Sequence, residues 1–291
     1  MSNIFYDYQV CIVAYSERFR LYRDSLGFVE VVQQLGKRLG VHLGEFVFHT
    51  RENIADEGDQ FVLDQENLNR LRQFSAQEPI LDLILTSKDG NHDPAWDIYA
   101  ELVDAKDIYG MRYAYFQFPL DLIGDYSEQS QFELFKGLLL SLNRLAELDY
   151  ALVTTMEFAD MPWLYFRGFL LPNMSGDLKL NLALWQRQQG ECSRKMRDVY
   201  WMNFMGIGHL SSMDDIGGFL HRLEGLIGAD RMTSSNDNHL VFGVPAVGNS
   251  PNPVAVSVQN LLMEHNLLML PSVEDISVVV DKSFRRVRPT N

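Results

Sequence analysis

Three strand-like runs follow one another with no helical pattern between them. They are residues 80–86 (ILDLILT), 96–103 (WDIYAELV) and 112–118 (RYAYFQF). Each is short and rich in β-branched and aromatic residues, the composition of strands. The segment joining the first two, SKDGNHDP at 87–94, is made of turn formers and predicts a hairpin with a longer loop. A doubly wound parallel fold alternates strand and helix throughout, and three strands in a row break that alternation. The order predicts an α+β fold: a mixed, largely antiparallel sheet packed by several helices.

The rest of the chain supplies those helices and further strands. Strands are predicted at 8–15 (YQVCIVAY), 45–49, 150–156, 199–205, 238–244 and 276–280. A helix is predicted over 19–39, where Leu21, Leu26, Phe28, Val29, Val32, Leu35 and Leu39 recur near a 3.6 period and Gly40 follows. Residues 64–74, 128–147 and 213–227 read as further helices. Another is expected around 160–170, because Pro162 suits a first turn. Residues 255–270 fit either a helix or a strand plus helix. Residues 51–60, 172–182 and 247–253 read as loops. The whole chain, 1–291, is expected to form a single domain, with 172–182 as the place for any sub-domain break.

Charge removes some function classes. With 39 acidic and 25 basic residues the net charge is −14, and a nucleic-acid binder needs the opposite excess to displace counterions from phosphates. The two cysteines, Cys11 and Cys192, form no CxxC spacing, so neither a disulfide framework nor a zinc site is expected. The N-terminal stretch carries Asp7 and lacks a basic n-region, a poor signal peptide. No window approaches about eighteen uncharged apolar residues. These readings predict a cytoplasmic protein that binds neither nucleic acid nor membrane.

The stretch 200–215, YWMNFMGIGHLSSMDD, concentrates the residue types that chemistry uses. Gly206-Ile207-Gly208 begins a dinucleotide fingerprint, but Ser211 stands at the third glycine position and no Walker lysine follows. A tight turn explains two glycines equally well. A serine nucleophile needs G-x-S-x-G, and Ser211 and Ser212 have neither that spacing nor a closing glycine. Ser212 instead reads as the N-cap of helix 213–227, with Asp214 and Asp215 favouring the helix dipole. His209 has no partner at metal-ligand spacing and reads as a packed or loop histidine. The loop at Asp89 to Asp93 lacks the glycine and glutamate that an EF-hand requires. Catalytic, cofactor-binding and metal-binding residues are therefore expected to be none.

Acidic charge is concentrated. Residues 51–107 hold fourteen acids against five bases, most of the net excess. Such density suits a surface for a basic partner, since opposite charge raises association rate and specificity.

The segment Arg197 to Leu210 is similar to a signature of the type VI secretion immunity family. That signature pairs Tyr-x-x-Asn and two apolar residues with a later His-Leu and then a helix, and Tyr200, Asn203, Phe204, Met205, His209 and Leu210 fit it. LYFRGFLLP at 164–172 and GMRYAYFQFP at 110–119 have the same flavour. The resemblance implies a bacterial immunity protein, without catalytic residues, that binds a cognate secreted toxin and occludes its active site. A basic toxin such as a nuclease would complement the acidic loops. The contact residues expected there are Asp56, Glu57, Asp59, Asp89, Asp93 and Asp97. The competing reading is an enzyme, hydrolase-like, in which His209 meets a carboxylate in a cleft. A regulatory scaffold would differ from the immunity reading only in its partner.

Overall fold

The structure, a computed structural model, describes residues 8–50, 59–77, 80–87, 98–104, 111–157, 162–166, 176–235, 238–245 and 252–270. Ten strands form one sheet: β1 (Tyr8–Tyr15), β2 (Leu43–Thr50), β3 (Asp59–Val62), β4 (Ile80–Ser87), β5 (Tyr99–Val103), β6 (Tyr113–Pro119), β7 (Tyr150–Glu157), β8 (Met202–Gly206), β9 (Met232–Ser235) and β10 (His239–Gly243). Their order is β3-β2-β4-β5-β6-β1-β7-β8-β10-β9. Every ladder between these strands is antiparallel. The longer helices are α1 (Leu21–Leu39), α2 (Gln65–Gln77), α3 (Glu128–Ala146), α4 (Gly176–Gln188), α5 (Ile216–Ile227) and α6 (Pro253–Glu264). The protein is α+β.

An antiparallel sheet commonly leaves one face to water and then alternates apolar and polar residues. This one does not. Helices cover both faces, so the central strands are apolar on both. Along β1, Val10, Ile12 and Ala14 enter one core with Phe28, Val32, Phe135 and Leu139 from α1 and α3. Cys11, Val13 and Tyr15 enter a second core with Trp185, Phe219, Leu223 and Leu262 from α4, α5 and α6. The period-2 pleat thus sends one strand into two cores. It also explains why QVCIVAY shows no polar alternation.

Local chemistry sets the element ends. Gly40 ends α1 at φ 71°, a left-handed cap that costs a residue without Cβ little. Ser127 caps α3 by accepting from the Ser130 amide. Pro162 opens a short helical turn at 162–166, and Pro253 opens α6, whose N-cap Asn252 accepts from the Val254 amide.

Three expectations change. Residues 59 and 60, placed in a loop, begin β3, because Phe61 stacks on Phe46 and Phe48 of β2 at 5.4 Å from each. Residues 176–182 are not loop but the first half of α4. Its N-terminal Gly-Asp belongs as much to helix starts as to turns, and Leu182 and Trp185 bury its inner face. Helix α5 starts at Ile216 rather than 213, and its N-cap is Asp215, which accepts from Gly218 N at 2.8 Å. Ser212 instead donates to the His209 carbonyl at 2.7 Å. Residues 255–264 resolve as helix. The strand expected at 276–280 lies outside the described residues. Strands β7 and β8 flank the 172–182 stretch and pair directly with each other.

Candidate functional site

The 200–215 segment builds a turn, a strand and a second turn. Asn203 is fully buried and closes the first turn with its own side chain: it accepts from Tyr200 N at 3.0 Å and donates to Tyr200 O at 2.8 Å. Strand β8 then runs between β7 and β10. Residues 207–210 form a single helical turn. The two glycines serve close packing. A Cβ on Gly206 would lie 2.4 Å from the Leu148 carbonyl oxygen, and one on Gly208 would lie 2.2 Å from that of Ser193. Any side chain there would displace backbone.

His209 is fully buried and packs 5.9 Å from Tyr150, ring centre to ring centre. Burial pushes its pKa down to about 4, against a pull upward from backbone groups of Lys195 and Asp149. It is a neutral packing residue at pH 7, and neither ring nitrogen has a hydrogen bond of ordinary geometry. It therefore does not meet a carboxylate, as the enzyme reading requires.

Around His209 lies an aromatic cluster that the sequence did not announce. Tyr113, Tyr15 and Tyr150 stand side by side across β6, β1 and β7 in direct register. Trp185 of α4 covers Tyr15 at 4.7 Å. Arg197 enters the same cluster and is 3% exposed. Its guanidinium carbon lies 4.3 Å from the Tyr165 ring centre and 5.4 Å from that of Trp185. Its Nε donates to Asn181 Oδ1. Its two terminal nitrogens, and the hydroxyls of Tyr15, Tyr150 and Tyr200, are buried and make no hydrogen bond of ordinary geometry among the described residues, although the guanidinium is near enough to Tyr15 to pull that phenol's pKa down against burial. A buried charge is normally paired, and here the electron-rich ring faces substitute for a carboxylate. Burial also pushes the Tyr150 and Tyr200 phenols well above their usual range.

Arg197 ends a segment that crosses to the loop after α6. Met196 forms an isolated parallel bridge with Leu268, its amide donating to Leu267 O at 2.7 Å and its carbonyl accepting from Met269 N at 2.9 Å. Residues on the two sides of this bridge line two cavities. One, of about 320 Å³, is walled by Leu180, Leu184, Met263 and Met269, and Asp198 and the stem side of Arg197 also line it. The other, of about 620 Å³, is polar and includes Arg194, Lys195, Asp214, Asp215 and Glu264. His209 lines neither. The signature quoted from the sequence begins at Arg197, yet periodicity assigned Arg197 and Asp198 no role. The strip of Leu180, Leu184 and Trp185 on α4 was hidden in a stretch read partly as loop.

Of the acids expected to touch a partner, Asp59 opens edge strand β3 opposite Phe48. Asp56, Glu57, Asp89, Asp93 and Asp97 lie outside the described residues. Other acids of that run serve the fold. Asp64 accepts from Asn67 N at the start of α2, and Glu66 pairs with Arg70 one helical turn on. Asp82 is buried 2.5 Å from His49 Nδ1, and Asp104 holds both Arg112 and the Leu21 amide. Both cysteines are buried and in no disulfide, and burial raises the Cys11 thiol to about 12, outweighing a hydrogen bond with Tyr115 that lowers it. Among the described residues no helix is long and apolar enough to cross a membrane.

No family model matches the chain, and no curated protein matches it in sequence. The fold does have a solved counterpart. The Pseudomonas aeruginosa T6SS protein PA0821 superposes with a TM-score of 0.52 over 90% of this chain and 73% of that one, at 12% identity. The likeness is one of fold.

Proposed function

We propose that this chain is an immunity protein of a type VI secretion system: it binds a cognate antibacterial effector and blocks that effector's active site. The observation that carries the reading is the shared fold with a T6SS protein, joined to a signature segment whose residues are structural. Tyr200, Asn203 and His209 shape and fill the interior around β8. Residues kept for packing fit a protein whose work is done by its surface. The net charge of −14 favours a basic effector, as a nuclease would be. The acidic residues Asp56, Glu57, Asp59, Asp89, Asp93 and Asp97 form the proposed steering surface.

Co-expression tests the reading. Cells expressing the effector encoded next to this gene should survive when this protein is present, and the two should co-purify. Death of those cells at full expression of the protein, with no complex recovered, would end the proposal. An enzyme reading would need another centre than His209, because burial holds that imidazole neutral and outside both cavities.

A further inference from the structure

The smaller cavity beside Arg197 has an unusual pairing of walls and charge. Its sides are aliphatic and thioether: Leu180, Leu184, Met263 and Met269. Met263 and Leu270 stand at its rim, 41% and 50% exposed, and they are among the few large apolar side chains so placed among the described residues. Asp198 also lines it. Its Oδ1 accepts from Gln259 Nε2 at 2.7 Å and from the Val199 amide at 2.7 Å. Among the described residues its Oδ2 has no donor and the carboxylate has no ion pair. The neighbouring Arg197 does not neutralise it. That guanidinium turns inward onto Tyr165 and Trp185, and its terminal nitrogens are sealed from solvent.

A half-buried carboxylate with one free oxygen, in a cavity with largely apolar walls, is complementary to a cation on an aliphatic stem. We propose that this cavity receives one lysine or arginine side chain projecting from the protein partner. The stem lies along Leu184, Met263 and Met269, and the cationic head meets Asp198 Oδ2. Long basic side chains bury their methylenes in this way while the charge finds a counter-ion. Methionine walls adapt to either stem. The negative net charge draws a basic partner to the surface, and the slot would fix its register, as buried central anchors do in interfaces. The proposal rests on the effector-binding reading and names the chemistry of one contact within it.

The test has two arms. In the first, full-length protein carrying ¹³C-methyl methionine is titrated with n-hexylammonium and, separately, with hexanoate. Met263→Leu and Met269→Leu identify the two methyl signals. Those signals should move with the amine and stay still with the carboxylate, and Asp198→Asn should weaken the amine response by about tenfold. Equal responses to both probes, no response to the amine, or an unchanged Asp198→Asn titration would each overturn the assignment. In the second arm, the neighbouring effector is bound to wild type, Asp198→Asn and Met263→Glu. Loss of affinity in both variants, with unchanged near-ultraviolet dichroism, supports the anchor. Wild-type-like binding by both variants overturns it and leaves the effector-binding reading standing. Absence of any wild-type complex overturns that reading itself, which the amine titration does not depend on.

Discussion

The Arg197 guanidinium sits 4.3 Å from the centre of the Tyr165 ring, and its terminal nitrogens make no hydrogen bond of ordinary geometry among the described residues. Ring faces, the Trp185 indole among them, carry the charge that a carboxylate would carry elsewhere. Such a cation is tolerated because guanidinium is flat and weakly hydrated. The arrangement makes the residue sensitive to shape more than to charge.

Substitutions at Arg197 should therefore rank by shape. Arg197→Ala removes stem and cation and leaves a void, and should cost about 3–5 kcal/mol in urea unfolding. Arg197→Met keeps much of the volume without a charge to desolvate, and should cost less than about 1.5 kcal/mol. Arg197→Lys should be worse than Met, because an ammonium lacks the flat face. A lysine variant as stable as wild type would refute this account.

His209 should make stability fall in mild acid. The folded imidazole stays neutral down to about pH 4, while the unfolded one takes a proton below about 6.5. Between these values the unfolded chain binds more protons, so stability rises with pH there. Its contribution is whole above about pH 6.5 and is lost as pH falls toward 4, on the order of 3 kcal/mol in all. Denaturant midpoints of wild type and His209→Gln from pH 7.5 to 4.5 should converge on acidification. Parallel curves would show that this residue is not the source.

The glycines of the Gly-x-Gly pair should tolerate nothing larger. Gly208→Ala and Gly206→Ala each press a Cβ into a backbone carbonyl and should lose about 3 kcal/mol. Gly225, inside α5 with open space around its Cβ position, is the control. Gly225→Ala should gain about 0.5–1 kcal/mol from helix propensity. Thermal midpoints of the three variants decide the point.

The cap of α5 separates Asp215 from Ser212. Asp215→Ala should lose about 1 kcal/mol by releasing the Gly218 amide. Ser212→Ala loses only a bond to the His209 carbonyl and should lose less than half as much. The opposite order would restore Ser212 as the cap.

Charge reversal at Asp56, Asp89 and Asp93 together should slow effector association by about tenfold at low salt and by much less at high salt. Dissociation should change little. Surface plasmon resonance at two ionic strengths reads both rates, and salt-independent association kinetics would remove these loops from the interface.

Strands were legible because their apolar runs are long and uninterrupted. β1, β4, β6 and β7 could be placed from composition alone. The same runs concealed something: QVCIVAY is apolar at every position because helices lie on both faces, and a sequence window cannot tell that from one thick core. Caps were harder. Ser211, Ser212, Asp214 and Asp215 can each cap a helix, and the choice fell to Asp215 because 207–210 first makes its own turn over β8. α4 was half hidden because Asn, Ser, Gly and Asp serve turns and helix starts alike. Asp198 could not be found locally at all. Its surroundings come from α4 and α6, and only the tertiary fold joins them.

The central place of β1 has a consequence for how the chain is made. Its partners are β6 and β7, so Gln9 waits for Pro119 and Tyr15 for Tyr150. A ribosome must extend the chain from β1 through residue 150 before that strand has both neighbours. Until then an apolar ribbon with at least one open edge is offered to any other chain nearby. Pairings so distant in sequence also close slowly. Newly made copies should therefore depend on chaperones early in translation, and shortened chains ending before β7 should be captured by them.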